Sequence, residues 1–133
     1  MLKVAFINMY GQSGLTQQKL LELENFIQKN KLDIVCLQET NISESTFMEC
    51  NYIYKNFSSF YNNNKSGYGT CSLVKKDFSV TNIVKDSDGR VLCLDIDKQL
   101  TVVNVYLPSG TDQTSKTERE EVLNNIPNLL LYK

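Results

Sequence analysis

Residues 32–38 read Leu-Asp-Ile-Val-Cys-Leu-Gln, a run in which apolar side chains fall at odd and even positions alike. A strand of that kind is buried on both faces and belongs inside a layered structure. Residues 2–8, Leu-Lys-Val-Ala-Phe-Ile-Asn, have the same character, with Leu2, Val4 and Phe6 on one face and Ala5 and Ile7 on the other. Between the two runs, the loop MYGQSG leads to Thr16, a good N-cap for a helix to about Asn30. Leu20, Leu23, Phe26 and Ile27 repeat at helical spacing there, leaving Lys19, Glu22, Glu24 and Lys29 for water. Strand, helix and strand at this length make a βαβ unit with parallel strands and a right-handed crossover.

Downstream the pattern changes. Residues 40–66 loosen into polar connections around YIYKNF and the run Asn62-Asn63-Asn64, where one more strand is expected without readable bounds. After Gly67 the segments GTCSLVKK, FSVTNIV, RVLCLDI and LTVVNVYL are separated by turn signals at Lys76-Asp77, Ser87-Asp88-Gly89 and Asp97-Lys98-Gln99. They read as an antiparallel meander. Pro108 and Gly110 end the last strand, and Ser115 to about Tyr132 reads as a helix that Pro127 shortens or kinks. Four strands are apolar on both faces, while two helices are available to cover the sheet. One face is therefore expected to lack its cover, leaving a patch on the order of 500 to 1,000 Å² that favours self-association.

Composition excludes several classes. The 133 residues suit one domain, 1–133, without repeats or linkers. Fourteen basic residues against fifteen acidic ones give a net charge of -1, so any contact with a polyanion is local. Apolar runs of about six residues fall short of the roughly 18 needed for a membrane span, and no signal-peptide pattern follows Met1. The expected protein is intracellular, nuclear or cytoplasmic and not secreted, without membrane contact. Cys36, Cys50, Cys71 and Cys93 read as small buried side chains, because no histidine exists to complete a zinc site with them. The same absence removes imidazole acid/base catalysis.

In open α/β sheets ligands gather beyond the carboxyl ends of strands. Three segments end there in polar groups: Asn8, then Gln38-Glu39-Thr40, then Asn104 and Tyr106. Glu39 offers a hard anionic oxygen suited to Mg²⁺, which takes only one or two protein carboxylates and fills its shell with water and phosphate. Each residue also has an ordinary reading: a capping or water-facing carboxylate for Glu39, a turn residue for Asn8, packing for Tyr106. Lys75-Lys76 and Lys65 are either phosphate contacts or solvated turn residues.

Taken jointly, INMYGQSG, DIVCLQET, GYGTCSLVKK, DGRVLCLDI, LTVVNVYLPSG and TEREEVL resemble the ordered N-terminal motifs of the endonuclease/exonuclease/phosphatase family. The combination of DGRVLCLDI, NVYLPSG and ER is most similar to the endonucleases of LINE-type retrotransposons. The resemblance implies the N-terminal sheet and flanking helices of a four-layer αββα sandwich of the DNase I-like kind, with the C-terminal half missing. It implies Mg²⁺, with Mn²⁺ as a substitute, and hydrolytic nicking of DNA by the complete parent domain. By the same resemblance Asn8 helps position the phosphate and the surroundings of the attacking water. Glu39 binds the metal, Tyr106 contacts the scissile phosphate, and Asn104 supports neighbouring strands.

Two departures accompany it. Relatives commonly carry a second asparagine before the glycine, where this loop reads Asn8-Met9-Tyr10-Gly11. The family's later Asp-x-Asn and Ser-Asp-His motifs, which supply the water-activating Asp and the phosphate-polarising His, are absent from the sequence. The chain is therefore expected to be inactive as it stands. Two alternatives stay open: a non-catalytic protein-interaction module that uses the uncovered sheet face, and a phosphatase of the same superfamily.

Overall fold

The computed structural model describes residues 1–11 and 14–131. Gln12 and Ser13 of the first loop, and Tyr132 at the expected end of the last helix, lie outside them. Among the described residues, seven strands form two sheets. The first sheet has the order β1-β2-β4-β3, built from β1 (Val4–Asn8), β2 (Ile34–Thr40), β3 (Phe57–Asn62) and β4 (Gly69–Lys75). The second is the meander β5-β6-β7, from β5 (Val80–Lys85), β6 (Val91–Ile96) and β7 (Leu100–Val105).

β1 and β2 pair in parallel around the helix α1 (Gln17–Asn30), as their patterns predict. Thr16 caps α1, its hydroxyl accepting from the Lys19 N–H at 3.1 Å. Leu20, Leu23 and Ile27 pack on Val35, Leu37, Cys71 and Leu73, forming one core on the outer side of the first sheet. Phe26 does not join them: it sits at the margin of the helix face and stays half exposed. The segment left unread contains a short helix, α2 (Asn51–Asn56), running directly into β3.

The expected meander is divided. β4 inserts antiparallel between β2 and β3, and only β5, β6 and β7 run on as a meander. Those three strands fold over the first sheet, with β7 above β2 and β4 and β6 above β4 and β3. Leu92, Leu94, Ile96 and Val102 meet Ile34, Cys36 and Val74 in a second core between the sheets. The chain thus supplies much of the cover expected to be lacking. What stays open is narrower than a sheet face: β1 is an edge strand beyond β2, and Val4 and Phe6 are 37% and 60% exposed. β1 is therefore not buried on both faces, because the second sheet ends at β7 without reaching it.

Helix α3 (Gln113–Leu131) lies on β5 and β6 and contains Pro127 without ending there. Asp112 caps it, accepting from the Ser115 N–H at 2.6 Å, a bond that holds the Asp112 carboxyl below its usual range. All four cysteines are buried thiols. Burial pushes Cys36 up to about 11 and raises Cys71 further; Cys50 is raised by burial and by nearby Glu24 and Glu49. No helix among the described residues is long and apolar enough to cross a membrane.

Candidate active site

Three elements of the site meet at one end of the sandwich: the end of β2, the end of β7, and the turn entering β6. Strict alternation along β2 would aim Glu39 like Leu37, into the α1 core. A bulge prevents this. The pairing with β4 shifts between Gln38 and Thr40, and Glu39 takes the left-handed conformation at φ +55°. A bulge re-aims the side chain it carries. Here it turns the carboxylate to the second sheet, where the Tyr106 hydroxyl donates to Glu39 Oε1 at 3.0 Å. Glu39 is only 6% exposed, and its Oε2 is buried without a hydrogen-bond partner.

Tyr106 is held from several sides. Its ring stacks on Tyr68 with centroids 5.7 Å apart, and the Arg90 guanidinium lies 5.8 Å from its centroid. Its N–H donates to the Arg90 carbonyl at 2.8 Å. Arg90 in turn approaches Glu118 of α3 at 3.7 Å. These five side chains line a cavity of about 270 Å³ with Pro108, Ser109 and Ser115. Burial first, and then the hydrogen bond to Glu39, push the Tyr106 phenol up to about 12. The hydroxyl is thus a proton donor, not an anion, throughout the neutral range. Arg119 secures the loop after β7, donating at 2.8 Å to the carbonyls of both Pro108 and Gly110.

Asn104 ties the two sheets together beneath the site. Fully buried, its amide nitrogen donates to the carbonyls of Leu37 (3.1 Å) and Cys71 (2.9 Å) and to Ser72 Oγ (3.2 Å). Its oxygen accepts from Gln38 Nε2 at 3.0 Å. A buried amide this well satisfied fixes the height of β7 over β2, and with it the reach of Tyr106 toward Glu39.

Asn8 stands one strand over, paired in register with Gln38. Its Oδ1 accepts the Tyr10 N–H at 2.8 Å, and it opens on a neighbouring cleft with Met9, Lys19 and Phe26 rather than on the cavity of Glu39 and Tyr106. The loop after it is stitched to β2: Met9 N–H donates to the Gln38 carbonyl and Gly11 N–H to the Glu39 carbonyl, both at 2.9 Å. A Cβ on Gly11 would sit 2.7 Å from that Glu39 oxygen, so only glycine fits. Lys75 and Lys76 lie at the opposite end of β4, where Lys76 Nζ donates to the Tyr54 carbonyl.

Sequence reasoning attached no role to Tyr68, Arg90 or Glu118, although GYGTC and DGRVL flagged their segments. It also passed over the asparagine run. Asn62 donates to the Asp86 carboxylate and to the Val91 carbonyl, both at 2.9 Å, and Asn63 both donates to and accepts from the Ile42 backbone. Asn64 reaches the Asp88 carbonyl. Consecutive amides in a loop signal such stapling, but their partners are remote in sequence.

The model of the Endonuclease/Exonuclease/phosphatase family matches residues 5–130. A DNA-(apurinic or apyrimidinic site) endonuclease of Dictyostelium discoideum is 29% identical over 118 residues, covering 82% of this chain and 31% of that protein. Among solved structures, an AP endonuclease from Archaeoglobus fulgidus superposes with a TM-score of 0.72 at 20% identity, over 98% of this chain and 51% of that one. The 3' phosphatase NExo from Neisseria, bound to product DNA hairpin, gives 0.74 at 17% identity over the same shares. The architecture is that of half a DNase I-like sandwich, and the chain spans about half the length of these structures and a third of the curated relative. With its family's motifs matched from the first strand to the last helix, the chain belongs to the endonuclease/exonuclease/phosphatase family.

Proposed function

We propose that these residues form the metal-holding half of a divalent-metal-dependent phosphodiesterase site that acts on DNA. The observation that carries this reading is the Glu39 carboxylate, with Oε1 held by the Tyr106 hydroxyl and Oε2 buried and unpartnered. An orphaned buried carboxylate oxygen costs about 1–3 kcal/mol or more, and a hard cation supplies the partner it lacks. Mg²⁺ fits that donor, and Mn²⁺ can replace it. No group of three or more His, Cys, Asp or Glu able to hold a metal occurs among the described residues, so Glu39 acts as a single anchoring ligand. When bound, such an ion neutralises phosphate charge and acidifies water.

Tyr106, kept protonated, has one hydroxyl hydrogen, which goes to Glu39 in the free chain and turns to a phosphate oxygen beside Glu39 when substrate is bound. Arg90 and Tyr68 hold its ring, and Asn104 sets its height. Asn8 contributes at the loop side by fixing Tyr10 and the strand end next to Glu39. The chain has no histidine, so no imidazole is present to activate water or to protonate the leaving group. The chain alone is therefore expected to be silent. The relatives named above act on DNA, which supports DNA as the substrate class. The narrower retrotransposon assignment rests on the DGRVLCLDI and NVYLPSG segments, and a choice between undamaged and abasic DNA tests it.

The experiment is complementation. Residues 1–133 fused to the C-terminal half of the Archaeoglobus fulgidus enzyme should nick supercoiled plasmid with Mg²⁺, and Glu39→Ala should lower the rate by roughly 10²-fold or more. Nicking by a well-folded fusion that survives Glu39→Ala would sink the assignment. Preference for an abasic oligonucleotide over plasmid would remove the retrotransposon reading and leave the phosphodiesterase one.

A further inference from the structure

Tyr10 combines exposure with constraint. Its side chain is 71% exposed, yet its backbone sits at φ +49°, a conformation non-glycine residues adopt only where their surroundings impose it. The Tyr10 N–H is held by Asn8 Oδ1, and its carbonyl accepts from Lys19 Nζ at 2.9 Å while the same ammonium reaches the Met9 carbonyl at 3.2 Å. On either side Met9 and Gly11 are bonded to the backbone of Gln38 and Glu39. An aromatic ring in water returns nothing to the fold for this restraint. The mounting holds it one residue from the backbone of Glu39.

We infer that Tyr10 is a stacking platform for a nucleobase flanking the phosphate at Glu39 and Tyr106. The inference rests on the DNA reading above and names how the strand next to the reacting phosphate is gripped. A phosphodiester carries a nucleoside on each side, and a rigid tyrosine face stacks on any base while its hydroxyl stays in water. The Lys19 charge beside the ring suits a polyanion.

The chain contains no tryptophan, so Tyr10→Trp places one indole at this position and Tyr54→Trp places one at the opposite end of the sheet. Each is titrated at low salt with Mg²⁺ against a short single-stranded oligodeoxynucleotide, while anisotropy of a labelled copy reports binding. Quenching is expected at position 10 and not at 54. Tyr10→Ala should weaken binding about 10-fold and Tyr10→Phe by no more than about twofold, the scale of one stacked base. Oligonucleotide binding with an unmoved indole at position 10, or with Tyr10→Ala equal to native, overturns the stacking role and leaves the proposed function standing. A folded native chain that does not bind the oligonucleotide overturns both the stacking role and its DNA premise.

Discussion

The Tyr106 hydroxyl donates to Glu39 Oε1 at 3.0 Å, joining two residues 67 positions apart at facing edges of the two sheets. Glu39 raises the Tyr106 pKa both as hydrogen-bond acceptor and as a negative charge, on top of burial. The folded chain favours neutral Tyr106, so this contribution is whole below pH 10 and is lost as pH rises through about 12. In Glu39→Gln the phenol should titrate closer to 10. Carbon NMR of labelled tyrosine ring Cζ atoms would read the midpoint, and a midpoint unmoved by the substitution would refute the coupling.

Metal binding gives a second check independent of turnover. Mn²⁺ added to the folded chain should broaden resonances of Glu39, Tyr106 and Gly11 before those of α2, weakly, since one carboxylate anchors it. Glu39→Ala should remove this selective broadening. Equal broadening in native and variant chains would mean the ion sits elsewhere.

Asn104 should matter to stability far more than Asn8. Asn104→Leu strands the amide of Gln38 and strips buried partners from Leu37, Cys71 and Ser72, a loss of about 3 kcal/mol. Asn8→Ala removes one partially solvated bond and should cost about 1 kcal/mol or less. Urea unfolding of the two variants decides this; similar midpoints would show that Asn104 is not the brace between the sheets.

The strip along β1 predicts association. Native chain should sediment with a concentration-dependent mass, and Phe6→Lys, which places a charge on the open face of β1, should return it to monomer. A native chain that is monomeric at all concentrations and fails to bind a hydrophobic dye would show that Val4 and Phe6 are tolerated in water.

Much of this was legible in the residues. β2 and α1 declared themselves because a doubly apolar run and a capped 3.6-residue repeat are strong local signals. The family resemblance gave Asn104 its strand-support role, and the strand ends suggested that Asn8, Glu39 and Tyr106 gather at one edge; Tyr106 and Glu39 do meet, while Asn8 opens on the neighbouring cleft. The missed features are non-local. Nothing in GTCSLVKK and FSVTNIV says that they part into different sheets, because both alternate as any strand does. The bulge at Glu39 has no glycine on its own strand to announce it, yet it decides which layer the carboxylate enters. Tyr68, Arg90 and Glu118 acquire a role only once β4, β6 and α3 converge.

The buried cysteines divide the molecule in a way that can be timed. Cys50 and Cys71 lie in the core under α1, Cys36 between the sheets, and Cys93 on the opposite side of β6 from Leu92 and Leu94. The four thiols are thus shielded by three interlayer seams, Cys50 and Cys71 sharing the one under α1. Alkylating reagent can reach it only when that seam parts, so the order in which the four are modified would record the sequence in which the sandwich comes open. A chain whose second sheet is loosely docked would surrender Cys36 first, long before its helical core gives way.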